Sequence, residues 1–222
     1  MLGRFVPAAL AAVLVFGRAQ AQTADQTLDR ALAAYAKVRT VRATFEQRIT
    51  NPVLRRSATS RGEMVQQRPR YVSVRFTDPA GDRIVADGTW LWLYLPSTNP
   101  GQVIKTPVGQ DAAGTPDVTA QLLDSPKTRY AITDGGADTA AARPARVLRL
   151  VPKDPAIPFR RATIWVDDAD GLIRRFETVD ESGVVRLVTI TRLEVNRRVD
   201  RSLFTFTPPK GVRVFEQKDA PS

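Results

Sequence analysis

The strongest constraint on this chain is a period of two. Val41, Ala43, Phe45, Gln47 and Ile49 fall on one face of an extended segment, with Arg42, Thr44, Glu46 and Arg48 on the other. A segment patterned this way can hide its apolar face only as part of a sheet. The pattern returns at Gly62 and Met64, then at Val72, Val74 and Phe76, which alternate with Tyr71, Ser73 and Arg75 up to an Asp78-Pro79-Ala80-Gly81 turn. Arg83 to Ala86 and Thr89 to Leu95, joined by Asp87-Gly88, read as a hairpin.

Alternation resumes in Thr128 to Thr133, Val147 to Val151, Ala162 to Val166, Leu172 to Val179 and Val184 to Val195. The turns between them are read at Asp134-Gly135-Gly136, Asp170-Gly171 and Glu181-Ser182-Gly183. About ten strands following one another predict a single antiparallel meander, an open or closed barrel with helices against its mouth. The fold class is therefore mainly β with a minor α component.

Helical period appears in two places. Leu28, Leu32, Tyr35 and Val38 recur at helical spacing over Asp25 to Val38, in an Ala-rich context that favours helix. Between Pro96 and Pro126 lies an excursion rich in Pro, Gly and Asp, in which Pro116 to Leu123 predicts a short helix started by its proline. The run Trp90-Leu91-Trp92-Leu93-Tyr94-Leu95 is apolar at every position, so both faces of that strand need cover. A second layer, a helical lid or a lipid would each supply it.

The amino terminus follows a different rule. Arg4 supplies a positive start, Phe5 to Phe16 an apolar stretch, and Ala19-Gln20-Ala21 a small-x-small cleavage site. About 12 apolar residues are too few for the ~20 of a spanning helix. Residues 1–21 are read as a signal peptide, which leaves 22–222 as one soluble domain placed in the periplasm of a two-membrane bacterium. Its net charge would be about +8, since the leader removes Arg4 and Arg18 and no acid from a chain of +10. Such a field favours anionic partners. The basic residues stand singly or in doublets, without the long runs of nucleic-acid tails, and nucleic acid is not expected.

The 222-residue sequence contains neither Cys nor His. That excludes disulfides, thiolate and imidazole nucleophiles, and metal sites built on either side chain. No glycine loop of the phosphate-cradling kind precedes a helix, so no nucleotide is expected. Paired carboxylates are the remaining catalytic option, and Asp167, Asp168 and Asp170 form the densest cluster. Asp-x-Asp-Gly at a strand end is an ordinary turn, which already explains them. No catalytic residue, metal or cofactor is assigned.

Four stretches then carry a resemblance. They are Phe45-x-Gln47, Gln67-Arg68-Pro69 before a strand ending at Pro79, Asp87-Gly88-x-x-Leu91-Trp92-x-Tyr94-x-Pro96, and Phe204-Thr205-Phe206-Thr207-Pro208-Pro209-Lys210-Gly211-Val212. In order and spacing they resemble the periplasmic outer-membrane lipoprotein carrier family, LolA, across nearly the whole chain after residue 21. The resemblance implies an unclosed antiparallel half-barrel with an N-terminal helix and a helical lid over an apolar cavity for lipoprotein acyl chains. It also implies a monomer that receives acylated lipoproteins from an inner-membrane ABC-type release complex and passes them to an outer-membrane receptor, without covalent chemistry.

In that family the Arg of the Arg-Pro pair hydrogen-bonds lid carbonyls, and the matching residue is Arg68; an edge-strand Arg before a Pro that ends pairing is the plainer alternative. Where the family often has an aromatic residue four positions on, this chain has Val72. Phe45, Val72, Val74, Phe76, Trp90, Trp92 and Tyr94 are candidates for the cavity wall, or for ordinary core, and Val118, Leu122 and Leu123 for the lid's inner face. Fold does not fix cargo. A glycolipid or pigment carrier, a lipid-sensing regulatory domain and a carbohydrate-active enzyme on paired carboxylates stay open as other readings.

Overall fold

The computed structural model describes residues 23–109 and 118–217. The first meander is β1 (Thr40–Asn51), β2 (Arg56–Gln67), β3 (Tyr71–Asp78), β4 (Ala80–Asp87), β5 (Trp90–Tyr94) and β6 (Gln102–Pro107). The second is β7 (Tyr130–Ala140), β8 (Arg143–Pro152), β9 (Arg161–Asp167), β10 (Ile173–Val179) and β11 (Val185–Val195), and β12 (Arg213–Glu216) closes the chain. The helices are α1 (Ala24–Ala36), α2 (Val118–Leu123) and α3 (Pro126–Arg129).

All twelve strands form one sheet in the order β12-β6-β5-β4-β3-β2-β1-β11-β10-β9-β8-β7. The expected single meander is thus corrected to two, joined where β1 pairs antiparallel with β11. The excursion after Pro96 also holds a strand, β6, against which β12 lies parallel. The sheet edges, β7 and β12, do not pair with each other, so the barrel stays open as a strongly curved half-barrel.

Helix α1 starts at a capping box, with Gln26 N–H donating to Thr23 Oγ1 at 3.3 Å and Thr23 N–H to Gln26 Oε1 at 3.1 Å. It buries Thr27, Leu28, Ala31 and Tyr35, and it meets the concave side of β7 and β8. That face joins Leu148, Leu150, Ile164, Ile173, Tyr130 and Phe159 in the main core. Each large aliphatic side chain fully buried there contributes about 1.5–3 kcal/mol.

The turn expected at Asp134-Gly135-Gly136 lies inside β7. A register shift falls between Asp134 and Gly136, so the glycines form a bulge. A Cβ on Gly135 would stand 2.6 Å from Val147 Cγ1, so that residue must be small to pass its neighbour, while Gly136 faces open space and is favoured by its φ of +89°. The reversal comes later, at Ala141 and Ala142, with φ of 50° and 59°. Alanine is unusual in that conformation and leaves no turn signal in the sequence.

Candidate functional site

Cross-strand partners share a face, so the register shows what lies inside the curve. On the concave side, Ala43 is opposite Met64, Met64 opposite Val74, and Val74 opposite Ile84. Phe45 pairs with Ile190 and Gln47 with Val188, which in turn is opposite Phe176. These two rows meet at β1. They enclose a cavity of ≈ 130 Å³ with Phe76, Thr119 and Arg186 completing its wall.

Gly62 makes the cavity possible. It sits between Phe45 on β1 and Phe76 on β3 in the cross-strand ladder. A Cβ there would stand 2.9 Å from Phe45 Cζ and 2.7 Å from the Arg75 carbonyl oxygen. With no side chain in the way, the two rings meet edge to face over the glycine, centroids 5.7 Å apart at 86°. Among the described residues the wall is apolar except for Gln47, Thr119 and Arg186, and no carboxylate lines it. A lining of this kind offers dispersion contacts and no general acid or base.

Phe45, Val74 and Phe76 therefore lie together on the cavity wall. Val72 shares their face but is 1% exposed, packed with Ala86 and Val108 in a small separate core. Leu122 and Leu123 also lie in core, in the cluster that α1 covers, while Thr119 is the α2 residue on the cavity. The backbone of Val118 begins α2, and Pro116 and Asp117 lie outside the described residues. Helix α2 is tied down behind Leu122, where Gln121 O accepts from Arg129 Nη1 and Tyr130 OH, each at 3.2 Å.

Trp90, Trp92 and Tyr94 lie on the opposite, convex face. Strand parity dictates this: Leu93 pairs with Ile84 of the cavity wall, so Trp92 pairs with Val85 and turns outward. The cover for that face comes from the C-terminal segment. Phe206 packs on Trp92 at 5.7 Å and on Tyr94 at 5.9 Å, and Phe204 on Tyr71 at 5.6 Å. Lys105 Nζ sits 3.6 Å from the centre of the Trp90 ring and 3.1 Å from Glu216 Oε2. The wholly apolar strand thus has protein on one side and the half-open concavity on the other. Asp87 anchors it, accepting from Thr89 N, Trp90 N and Trp92 Nε1 at 2.8–2.9 Å. Burial raises the Asp87 pKa, but these donors and Lys105 outweigh it and hold the carboxyl below its ordinary value.

Arg68 Nη1 donates to the Tyr35 carbonyl at 3.2 Å, and the guanidinium lies over the Tyr35 ring at 5.3 Å. The shown contact is therefore with the carbonyl end of α1, a place that suits a cation. Of the lid expected at Pro116 to Leu123, Pro116 and Asp117 lie outside the described residues, and 118–123 form α2.

Asp167 is the buried member of the acidic turn, 1% exposed. It accepts from Arg143, from Arg174 Nε at 3.1 Å and from Ala169 N at 2.8 Å. Burial pushes its pKa up, yet the two guanidiniums and the backbone N–H hold it well below the carboxylate range. A carboxylate this strongly paired clamps the β8–β9–β10 end of the sheet and is unfit to take a proton at neutral pH. Among the described residues no group of three or more His, Cys, Asp or Glu side chains is placed to hold a metal ion.

Cavity residues that sequence reading missed are Met64, Ile84, Phe176, Val188 and Ile190. Each is on a correctly expected alternating strand. For Met64 and Ile84 what was missing was the register with Val74, and for Phe176, Val188 and Ile190 the pairing of β1 with β11, which brings the second meander's apolar row to the first.

An unclosed antiparallel sheet, half filled by helices and otherwise lined as an apolar cavity, defines the class: a half-barrel binding protein with a greasy interior. The sequence pattern of the outer membrane lipoprotein carrier protein LolA matches residues 36–207, and the chain belongs to that family. The outer-membrane lipoprotein carrier protein of Methylibium petroleiphilum is 31% identical over 185 residues, covering 82% of this chain and 85% of that one. That of Serratia proteamaculans is 30% identical, covering 82% and 84%. An uncharacterized conserved protein from Thermus thermophilus shares the fold at a TM-score of 0.55 and 17% identity, covering 88% of this chain and all of that one.

Proposed function

We propose that this protein carries lipoproteins by sheltering their acyl chains in the concave cavity. The observation that carries the reading is the β1 junction, where Phe45, Met64, Val74, Phe76 and Ile84 face Phe176, Val188 and Ile190 with no carboxylate among them. Sheltering one CH₂ from water gains about 0.8 kcal/mol, so acyl tails follow any apolar concavity large enough to hold them.

A cavity of ≈ 130 Å³ is smaller than the ~300–1,000 Å³ of ordinary ligand pockets. Loading therefore requires widening. The half-exposed concave residues of β4 to β6, Ile84, Leu93 and Ile104, supply the extra wall when the cover shifts. We assign the cover to α2 with the segment before it, and the latch to Arg68, whose guanidinium is seated at the end of α1. Residues 1–21 are a cleaved leader in this reading, and 22–222 are one domain working in the periplasm between an inner-membrane ABC-type release complex and an outer-membrane receptor. No helix among the described residues is long and apolar enough to cross a membrane.

The test is mass spectrometry of acylated species that co-purify with the protein from periplasm, alongside an Arg68→Leu variant. Acylated lipoproteins on the parent, with more retained on the variant, are expected. A single glycolipid or pigment would replace the cargo, and no apolar cargo on either protein would overturn the carrier reading.

A further inference from the structure

The end of the β1–β2 hairpin stands apart from the rest of the sheet. β11 pairs with β1 as far as Thr50, and β3 pairs with β2 only from Arg61 onward. Residues 52 to 59 consequently project beyond both neighbours and are exposed along both faces. At the tip, Val53 is 77% exposed and Leu54 63%, the two greatest exposures among the large apolar residues described. An apolar pair at a projecting tip, rimmed by polar residues, is a contact point offered to another surface.

The charge around the pair has one sign. Arg55 and Arg56 follow it directly, Arg48 precedes it on β1, and no acidic residue occurs from Gln47 to Ser60. Pro52, at the start of the tip, lies beside the β10–β11 turn, where a Cβ on Gly183 would stand 3.5 Å from Pro52 and 3.7 Å from Arg160 Nη2. Of the two acids in that turn, Asp180 is turned onto Ser182 Oγ and Val184 N, at 2.7 and 2.9 Å, and Glu181 is exposed. The net charge of about +8 that remains without residues 1–21 adds a long-range field of the same sign.

The tip also lies at the end of the β1 row that lines the cavity. The concave side of β1 runs from Phe45 and Gln47, on the cavity wall, to Ile49, which lines a second hollow of ≈ 280 Å³ with Phe159 and Thr178. Arg186, opposite Ile49, borders both.

We propose that the Val53-Leu54 tip with its arginines is a docking element for anionic phospholipid surfaces, setting the cavity end of the half-barrel against the bilayer. Its purpose rests on the carrier reading, but its test does not. The pair carries about half the carbons of a myristoyl chain, which by itself gives only ~10⁴ M⁻¹ of membrane binding. The apolar tip alone is therefore too weak, and the arginines make contact selective for anionic lipid. Contact this brief suits a protein that must leave the surface again.

The experiment is flotation of the cargo-free protein with vesicles of phosphatidylglycerol and phosphatidylethanolamine, compared with phosphatidylcholine alone. Binding to the anionic vesicles is expected. It should fall about 25-fold in Arg55→Gln/Arg56→Gln, at about fivefold per basic residue, and at least tenfold in Val53→Ser/Leu54→Ser. Because the chain has no cysteine, a Leu54→Cys variant carrying an environment-sensitive dye reports the tip alone, and a blue shift on anionic vesicles is expected. No binding to anionic vesicles, binding unchanged in both double variants, or no dye shift would overturn the proposal. So would tip-dependent binding to a membrane protein with no binding to bare lipid. Acyl cargo recovered from periplasm together with a tip that ignores vesicles would leave the carrier reading standing and remove this one.

Discussion

The two halves of one sheet are covered differently on their concave faces. In β8 to β10 the concave residues Leu148, Leu150 and Ile164 are fully buried under α1, while the convex side carries Arg149 and Arg161 in water. In β4 to β6 the convex residues Val85 and Val103 are buried, at 3% and 0% exposure, on the side that carries the C-terminal segment, and the concave apolar face is fully buried only around Ala86, in the small core with Val72 and Val108. There the concave Ile84, Leu93 and Ile104 are only half-buried. The same alternation thus makes a packed core on one side of β1 and a cavity wall on the other. What differs is which helix or tail lies over which face. A site for apolar cargo arises where the cover is moved to the outside and the inside is left short of it.

That contrast can be broken in several ways. Leu148→Ala in the filled half should cost about 3 kcal/mol, read by denaturant unfolding, because a cavity opens in packed core. Leu93→Ala in the open half should cost about 1 kcal/mol and weaken capture of an apolar fluorescent probe instead. Equal losses of stability would mean the halves do not differ in packing. Next in size is Asp167→Ala, expected to cost about 3 kcal/mol by stranding Arg174, which is 10% exposed. Asp167 has a lowered pKa, so its contribution is present at neutral pH, above its unfolded value, and is lost as the solution becomes acid enough to protonate the folded carboxylate. A variant as stable as the parent at neutral pH would show that the pairs only offset the burial of charge.

Gly62→Ala sharpens the comparison at the junction. Overpacking against Phe45 and the Arg75 carbonyl should cost about 1–3 kcal/mol and reduce probe binding more than Leu93→Ala does. Phe206→Ala, which uncovers Trp92 and Tyr94, should cost about 2 kcal/mol and shift tryptophan emission to the red while leaving probe binding unchanged. The smallest effect is expected for Asp87→Asn, about 1 kcal/mol at neutral pH. Its gap from the parent should close as pH falls through the lowered Asp87 pKa, since the carboxylate stabilises only while ionised.

The sequence by itself determined the type of most elements, with β6 in the excursion after Pro96 among the exceptions. A period of two from Val41 onward, an Ala-rich helix before it and Asp87-Gly88 at a hairpin follow from side-chain spacing and turn chemistry, which are local properties. The absence of Cys and His likewise excluded whole classes of chemistry without any coordinates. Phe45, Val74 and Phe76 were legible as one face of two strands for the same reason.

Tertiary structure decided everything that depends on who lies opposite whom. Trp90 to Leu95 is apolar at every position, so nothing local says that Trp92 and Tyr94 face outward; the partner that settles it, Phe206, lies over a hundred residues away. Leu122 and Leu123 read as the inner face of a lid, and the packing shows that this face of α2 meets the core cluster under α1, with Thr119 the residue on the cavity. The cavity itself exists because β1 pairs with β11, joining rows of side chains about 140 positions apart. Spacing along a chain encodes which side chains share a face, but only long-range pairing and the packing of distant segments decide which face is covered.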